Sequence, residues 1–337
     1  MAEEKILKYN EVLDSMEKNG QPRTLLLGNG FSLAYDPNGF NFESLRKIAE
    51  SSSQCKYPIL FQVFDAFKSN DFEKILELLD NCKTINRLVC KDSDLSDIEQ
   101  YQRQIKTLFI DAISKINPLH AGTLTIDQYN SAKAFLKNYD SIYTLNYDLL
   151  LYWVLLDLIN KSEESSRLRV NDGFRRNPQD EESLCRYQQG SECSIHYLHG
   201  ALHLWNDSGY TYKIHRKENN LLDEIQQNIT KNFFPLFVSE GSSGAKLNKI
   251  YQQPYLRETY LSLEQIQGNI VIFGTILKEN DAHICQAILK SNCSHVFIGI
   301  YDNPVDLDGV RAFQRKLNDK NKQVLYFDSR AMNIWGN

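Results

Sequence analysis

Short apolar runs alternate with amphipathic segments through the last third of the chain, and this alternation limits the possible folds more than any other feature. The apolar runs are residues 234–238, 269–273, 295–300 and 323–327. Segments near 256–266, 280–289 and 308–317 carry apolar residues at helical spacing. Strands that alternate with helices are joined by crossovers and run parallel. The pattern therefore predicts an α/β fold with a doubly wound, mostly parallel, Rossmann-like sheet.

Further strands of the same sheet are predicted in the first two thirds of the chain. They are residues 23–28, 141–145 and 194–198, and helices are predicted at 2–19, 42–49 and 149–159. The helix at 149–159 is apolar all round, which indicates that it is buried. A hairpin is predicted from 201–205 and 210–215, turning at 206–209.

The domain organisation follows from what separates these elements. A length of 337 residues, at about 150 residues per domain, allows one or two domains. Only helical periodicity is present over residues 57–136, between the first and second strands. We therefore predict one domain over 1–337, with a core formed by 20–54 and 139–337 and a helical insertion at 55–138. The polar stretch 160–193 is predicted to be a surface loop.

Composition and charge exclude several classes of protein. The net charge is −5 and no basic block is present, which disfavours direct binding to nucleic acid. The charged N-terminus lacks a signal-peptide core, and the longest apolar run, 149–156, is far shorter than the roughly 20 residues that span a bilayer. Seven dispersed cysteines without a C-x-x-C pair indicate a reducing compartment. We expect a cytoplasmic protein that is not bound to a membrane.

Polar residues and glycines follow four of the predicted strands, at the edge where doubly wound sheets bind their ligands. They are Gly28-Asn29-Gly30, Asn146 with Asp148, His199-Gly200, and Gly274-Thr275. Each also has a plain structural interpretation. The glycines can form simple turns, Asp148 can cap the following helix, and a lone histidine is often a core residue.

Other catalytic chemistries find little support in the sequence. His196, His199 and His203 are closely spaced, but strand geometry puts the first two on opposite faces and the helical H-E-x-x-H pattern is absent. No metal is expected. The chain also lacks a G-x-S-x-G elbow and a G-x-x-x-x-G-K-[ST] loop, and no cysteine follows a strand beside a glycine.

Four segments, in this order along the chain, resemble the SIR2 family. They are Gly28-Asn-Gly-Phe-Ser32, Thr144-Leu-Asn-Tyr-Asp148, Leu198-His-Gly200 and Gly274-Thr275. The sequence at 171–174, 197–203, 239–241 and 273–281 is similar to a bacterial SIR2-like group described as a domain of unknown function, the DUF4917 type. The resemblance extends over about residues 24–327.

The resemblance implies a role for each matching residue in binding and cleaving NAD. Gly28, Asn29, Gly30, Phe31 and Ser32 would hold the phosphates and ribose, and Gly274 and Thr275 would lie beside the adenosine. Asn146 would lie beside the nicotinamide ribose and the attacking water, Asp148 near the carboxamide, and His199 would act as the base.

Two departures from the SIR2 pattern bear on the expected activity. The paired C-x-x-C zinc motifs of deacylating sirtuins are absent, and Ile276 stands where a hydroxyl residue often follows the G-T pair. The resemblance then implies an NAD+ glycohydrolase rather than a deacylase. The chain is similar to NAD-depleting effectors of bacterial antiphage defence. These would form a homo-oligomer and be activated by a partner such as a separately encoded ATPase or sensor.

Two other interpretations remain open from the sequence. The pocket could bind NAD or ADP-ribose as a sensor without turnover and transmit occupancy to a partner protein. Alternatively, the chain could be a structural subunit that assembles through its helical segment at 57–136.

Overall fold

The computed structural model describes residues 6–89, 95–118, 120–160, 166–176, 184–207, 209–214, 221–231, 233–239, 241–301 and 307–336. The strands in these ranges are β1 (Ile6–Leu7), β2 (Arg23–Leu27), β3 (Ser141–Thr144), β4 (Phe174–Arg176), β5 (Leu184–Tyr187), β6 (Ile195–Tyr197), β7 (Leu204–Asp207), β8 (Tyr210–Ile214), β9 (Gln267–Phe273), β10 (Asn292–Ile300) and β11 (Gln323–Asp328).

Helices surround these strands. They are α1 (Tyr9–Asn19), α2 (Gly30–Tyr35), α3 (Phe42–Glu50), α4 (Leu60–Ala66), α5 (Phe72–Val89), α6 (Ser96–Ile116), α7 (Ile126–Leu136), α8 (Leu150–Asn160), α9 (Leu221–Thr230), α10 (Ser243–Gln252), α11 (Pro254–Leu263), α12 (Ala282–Lys290) and α13 (Leu307–Asn318). Short 3₁₀ turns occur at Ala121–Thr123 and Glu279–Asp281. Among the described residues, no helix has the length and apolar character needed to cross a membrane.

The central sheet confirms the predicted α/β architecture. Its seven strands lie in the order β1-β11-β10-β9-β2-β3-β6, and every pair is parallel. All five residues of the central strand β2 are buried, because helices cover both faces of the sheet. From β2 the chain moves outward to β3 and β6 on one side, and later to β9, β10 and β11 on the other. The boundary between β2 and β9 is the topological switch point of the sheet.

A second, antiparallel sheet of four strands, in the order β4-β5-β8-β7, was only partly predicted. The hairpin of β7 and β8 is confirmed, with Asp207 paired to Tyr210. The prediction of a loop over 160–193 was wrong at β4 and β5, which are strands. Residues 161–165 and 177–183 of that stretch lie outside the described residues. β4 and β5 are short and carry several arginines, so their strand conformation depends on pairing rather than on an apolar pattern. β5 pairs with β8, and β4 pairs with β5.

Three other local predictions differ from the structure. Ile6 and Leu7 were predicted as helix but form β1, because they pair with Tyr326 and Phe327 at the edge of the sheet. Residues 234–238 form no strand and make a single bridge, between Gly200 and Phe237. Helices α9 and α10 were not predicted. For β1, pairing with a distant strand overrides the local helical pattern.

The segment between β2 and β3 is helical, as its periodicity predicts. Helices α2 to α7 lie there, and their apolar faces join the core of the main sheet. Phe72 of α5 stacks on Phe109 of α6 with ring centroids 5.1 Å apart, and Phe109 in turn contacts the ring of Tyr147, just after β3. The helical segment therefore packs against the end of the sheet where the strands finish.

Candidate functional site

A cavity of about 810 Å³ opens at the carboxyl ends of the parallel strands. Its floor carries residues that follow four different strands: Gly28 after β2, Asn146 after β3, His199 after β6 and Gly274 after β9. The structure thus brings together the strand ends that the sequence pattern singled out. Helices α5 and α6 and the C-terminal residues 329–335 form further walls. The cavity lies over the switch point between β2 and β9, where ligands bind in doubly wound sheets.

Two glycine loops cross at this switch point and hold each other in place. The Gly28 amide donates to the Phe273 carbonyl at 2.9 Å, and the Gly30 amide donates to the Gly274 carbonyl at 2.8 Å. A Cβ atom on Gly30 would lie 2.4 Å from the Gly274 Cα, and Gly274 itself has φ of +76°. Only glycine permits this approach of the two backbones.

The loop after β2 differs from a free phosphate-binding loop. The amides of Phe31 and Ser32 also donate within the protein, to the carbonyls of Gly28 and Asn29. Gly28, Asn29 and Gly30 line the cavity, whereas Phe31 and Ser32 do not. Phe31 is buried against Trp335, with ring centroids 4.9 Å apart. A ligand in the cavity can therefore contact the surface of this loop, but the amides of residues 28, 30, 31 and 32 are already bonded within the protein.

Ser32 instead joins a buried network with Asp148 and Asn146. Its hydroxyl donates to Asp148 Oδ2 at 2.5 Å, and Asn146 Nδ2 donates to Ser32 Oγ at 2.9 Å. An ionised carboxylate only accepts, so the Ser32 proton must point at Asp148 and the Ser32 oxygen must accept from Asn146. One N–H of the Asn146 side-chain amide is used in this bond. The amide oxygen, Oδ1, makes no hydrogen bond to any described residue. That oxygen is left for a ligand in the cavity.

The predicted capping role of Asp148 is confirmed. Its Oδ1 accepts from the Leu150 amide at 2.9 Å, at the start of α8. Burial raises the pKa of Asp148, and the bonds from the Ser32 hydroxyl and the Leu150 amide oppose that rise. One carboxylate therefore both caps a buried helix and sets the orientation of Ser32 and Asn146.

His199 lines the cavity but is only 2% exposed. Its Nε2 is 3.0 Å from Nε2 of His283, and Nδ1 makes no hydrogen bond to any described residue. Burial lowers the pKa of His199 well below its ordinary value, and the positive charge of Lys246 lowers it further. The ring is therefore neutral at neutral pH and one of its nitrogens carries a lone pair.

A buried ion cluster beside His199 was missed by sequence reasoning. Lys246 Nζ on α10 bonds Glu73 Oε2 of α5 at 2.8 Å and Asp281 Oδ1 at 2.9 Å. Burial alone would lower the pKa of Lys246, but the two carboxylates raise it above its ordinary value. Burial raises the pKa of Glu73, although the charge of Lys246 opposes this. All three residues line the cavity.

Little in the sequence pointed to this cluster. Lys246 lies one turn before Ile250 on the buried face of α10, a position where an amphipathic helix normally has an apolar residue. A lysine there was the available signal, but α10 itself was not predicted. Glu73 begins an ordinary amphipathic helix and carries no signal of its own.

The three closely spaced histidines do not converge. His196 stacks on Tyr143 at 4.2 Å and bonds the Cys193 carbonyl, and His203 stacks on Tyr152 at 4.4 Å. Among the described residues, His199, Asp281 and His283 are close enough to hold a metal, with ligand atoms within 4.8 Å of one another. The Lys246 ammonium already bonds the Asp281 oxygen, so a divalent cation would meet a second positive charge there. We therefore assign to Lys246, and not to a metal ion, the positive charge that balances Asp281 in this cluster.

The comparisons with known proteins identify a family but not an activity. The family described as "Domain of unknown function (DUF4917)" matches residues 25–335. A search of curated proteins finds no match.

Proposed function

The chain belongs to the DUF4917 family, and we propose that it is an NAD+ glycohydrolase that cleaves NAD+ to nicotinamide and ADP-ribose. One observation carries the proposal: two groups with no partner among the described residues, Asn146 Oδ1 and His199 Nδ1, belong to residues lining one cavity at the switch point. An oriented amide can position an attacking water, and a neutral imidazole can take its proton, during hydrolysis of a glycosidic bond. The SIR2 resemblance of the same strand ends supports NAD+ as the substrate.

In the proposed reaction, the bond between the ribose carbon and the nicotinamide nitrogen breaks, and its electron pair neutralises the nicotinamide ring. Asn146 Oδ1 accepts a hydrogen bond from the attacking water and orients it. His199 takes a proton from that water as the new carbon–oxygen bond forms. Glu73 and Asp281 carry two negative charges against the one positive charge of Lys246, which favours the oxocarbenium-like transition state when both carboxylates are ionised.

The pyrophosphate of NAD+ must be held by other groups than the backbone amides of the glycine loop. Since the amides of Gly28, Gly30, Phe31 and Ser32 are already bonded, we propose that the phosphates lie against the surface of the glycine loop. Lys278, which lines the cavity, supplies positive charge for them. Arg330 also lines the cavity, but its guanidinium is paired with the carboxylate of Asp328. Thr275 and Gly274 remain beside the proposed adenosine position.

Regulation is part of the proposal, because an unregulated NADase would deplete its own cell. We propose that the chain acts as an effector in bacterial antiphage defence and is activated by homo-oligomer formation or by a partner such as an ATPase or sensor. The resemblance to NAD-depleting effectors supports this part.

The test is nicotinamide release from NAD+ by the purified full chain, with and without candidate partners. We expect His199→Ala and Asn146→Ala each to lower the rate by roughly 100-fold or more. His196→Gln is the matched control, because His196 is also buried but its ring stacks on Tyr143 and it does not line the cavity. Wild-type rates in both alanine variants would rule out this site.

The occupied loop amides favour a second candidate, a nucleotide-binding module without turnover. A loop whose amides are bonded within the protein can still contact a bound nucleotide, but those amides cannot stabilise a transition state. It predicts binding of NAD+ or ADP-ribose by calorimetry, with no nicotinamide released under any activating condition and with unchanged affinity in His199→Ala.

A further inference from the structure

His199 is one end of a hydrogen-bonded chain that runs away from the cavity. Its Nε2 meets Nε2 of His283 at 3.0 Å, and Nδ1 of His283 is 3.2 Å from Ser243 Oγ. Ser243 Oγ also accepts from the His283 backbone amide at 2.8 Å. His283 is fully buried and does not line the cavity, so it can reach a ligand only through His199.

The contact between the two Nε2 atoms restricts where protons can sit. Both rings are neutral, since burial lowers the pKa of His199 well below its ordinary value and that of His283 to about 4. A hydrogen bond between two neutral rings needs one Nε2–H and one Nε2 lone pair. For His199 to be a base at Nδ1, it must carry its proton on Nε2. His283 must then carry its own proton on Nδ1, facing the Ser243 oxygen.

The charges around the pair favour His283 as the place for an added proton. Burial lowers the pKa of both rings, and the positive charge of Lys246 lowers both further. The carboxylate of Asp281, whose Oδ1 lies 4.0 Å from Nε2 of His199, raises the pKa of His283. The groups that face the pair are Lys246 on α10, Asp281 before α12, Glu73 of α5 through Lys246, the ring of Tyr147 after β3, and Tyr260 of α11. The Tyr260 hydroxyl donates to the His283 carbonyl at 2.9 Å.

We propose that His283 is a positioning residue that fixes the tautomer of His199 and accepts its Nε2 proton during the reaction, an inference that rests on the proposed NADase function. As the water O–H bond breaks, a proton joins Nδ1 of His199. The Nε2–H bond of His199 breaks and an Nε2–H bond forms on His283. His283 then holds both protons and the positive charge, donating to Ser243 Oγ and to His199 Nε2.

The first test does not depend on activity. ¹⁵N NMR of the histidine side chains in the full chain should show, at neutral pH, His199 protonated on Nε2 and His283 on Nδ1. His283→Gln should keep the His199 tautomer, since the glutamine oxygen can accept from Nε2–H. His283→Leu should lose that preference, and the control His196→Gln should leave it unchanged. A His199 proton on Nδ1 in the wild type would overturn the proposal.

The second test uses nicotinamide release. We expect His283→Gln to lower kcat by about 10- to 100-fold with little change in KM, because glutamine keeps the orientation of His199 but cannot take up a proton. His196→Gln should keep the wild-type kcat, and a melting temperature close to wild type in His283→Gln excludes loss of folding. Wild-type kcat in His283→Gln would overturn the relay.

The two tests separate this inference from the proposed function. If the wild-type chain releases no nicotinamide, the proposed function fails, and the NMR result still decides whether His283 fixes the tautomer of His199. If nicotinamide is released and depends on His199 but not on His283, only the relay fails.

Discussion

At the scale of single residues, the site is defined by which lone pairs the protein leaves unused. Asp148 uses one oxygen at the start of α8 and the other on Ser32, and this fixes which end of the Asn146 amide faces Ser32. The orientation of the Asn146 amide therefore depends on Asp148, which acts on it through the Ser32 hydroxyl.

Asp148→Asn tests this dependence. The amide group that replaces the carboxylate can donate to Ser32, so the Ser32 hydroxyl can turn toward Asn146 and reverse the Asn146 amide. We expect nicotinamide release to fall by about 10- to 100-fold in kcat. Ser32→Ala should give a similar loss, because it removes the acceptor that orients Asn146. Wild-type kcat in both variants, measured beside melting temperatures, would contradict the assigned orientation.

The crossing of the two glycine loops gives a second prediction at this scale. Gly30→Ala puts a Cβ 2.4 Å from the Gly274 Cα, so the loops must separate, and we expect a loss of about 1–3 kcal/mol in the free energy of unfolding. Gly244→Ala is the matched control, because that helical glycine is exposed and has nothing within 4 Å. It should be neutral or stabilising by up to about 1 kcal/mol. Urea unfolding measures both, and equal effects would contradict the close packing.

At the scale of elements, two segments outside the sheet complete the cavity. Helix α5 brings Glu73 to Lys246, although the two residues are 173 positions apart. The C-terminal segment brings Trp335 over α2, where its indole donates to the Phe31 carbonyl at 2.9 Å and its ring packs on Phe31 and Tyr35. This segment holds the helix that follows the first glycine loop.

Trp335→Phe and Trp335→Ala separate the two contributions of that contact. Phenylalanine keeps most of the ring packing but loses the donor, so we expect a loss of about 1 kcal/mol in the free energy of unfolding. Alanine also leaves a cavity, with an expected loss of about 3–5 kcal/mol. The two values come from denaturant unfolding. An alanine variant as stable as the phenylalanine variant would show that the C-terminal segment does not hold α2.

At the scale of the whole molecule, four histidines of the described residues have pKa values lowered by burial: His196 and His283 to about 4, and His199 and His203 well below their ordinary value. Below pH 6.5 the unfolded chain takes up protons at these rings and the native chain does not. Each ring therefore reduces stability as the pH falls from 6.5 toward its native pKa.

His196→Gln isolates one of these contributions. Between pH 7.5 and 4.5 the wild type should lose about 2.5 kcal/mol that the variant does not lose, from the shift of the His196 pKa to about 4. Comparing wild type with variant cancels the opposite effect of the raised pKa values of Asp148 and Glu73. Urea unfolding at both pH values gives the difference. The exposed His120→Gln is the control, and parallel pH curves for wild type and His196→Gln would contradict the prediction.

The sequence by itself determined the parallel sheet, most of its strands, and the convergence of Gly28, Asn146, His199 and Gly274, because hydrophobic periodicity is a local property and parallel strands end at a common edge. Only the tertiary structure decided what those residues can do. It occupied the glycine amides, bonded the Asn146 nitrogen to Ser32 so that Oδ1 has no partner among the described residues, and joined His199 to His283, 84 positions away, beside Lys246 and Glu73. These are contacts between distant segments, and they depend on how the helices pack rather than on any pattern within one segment.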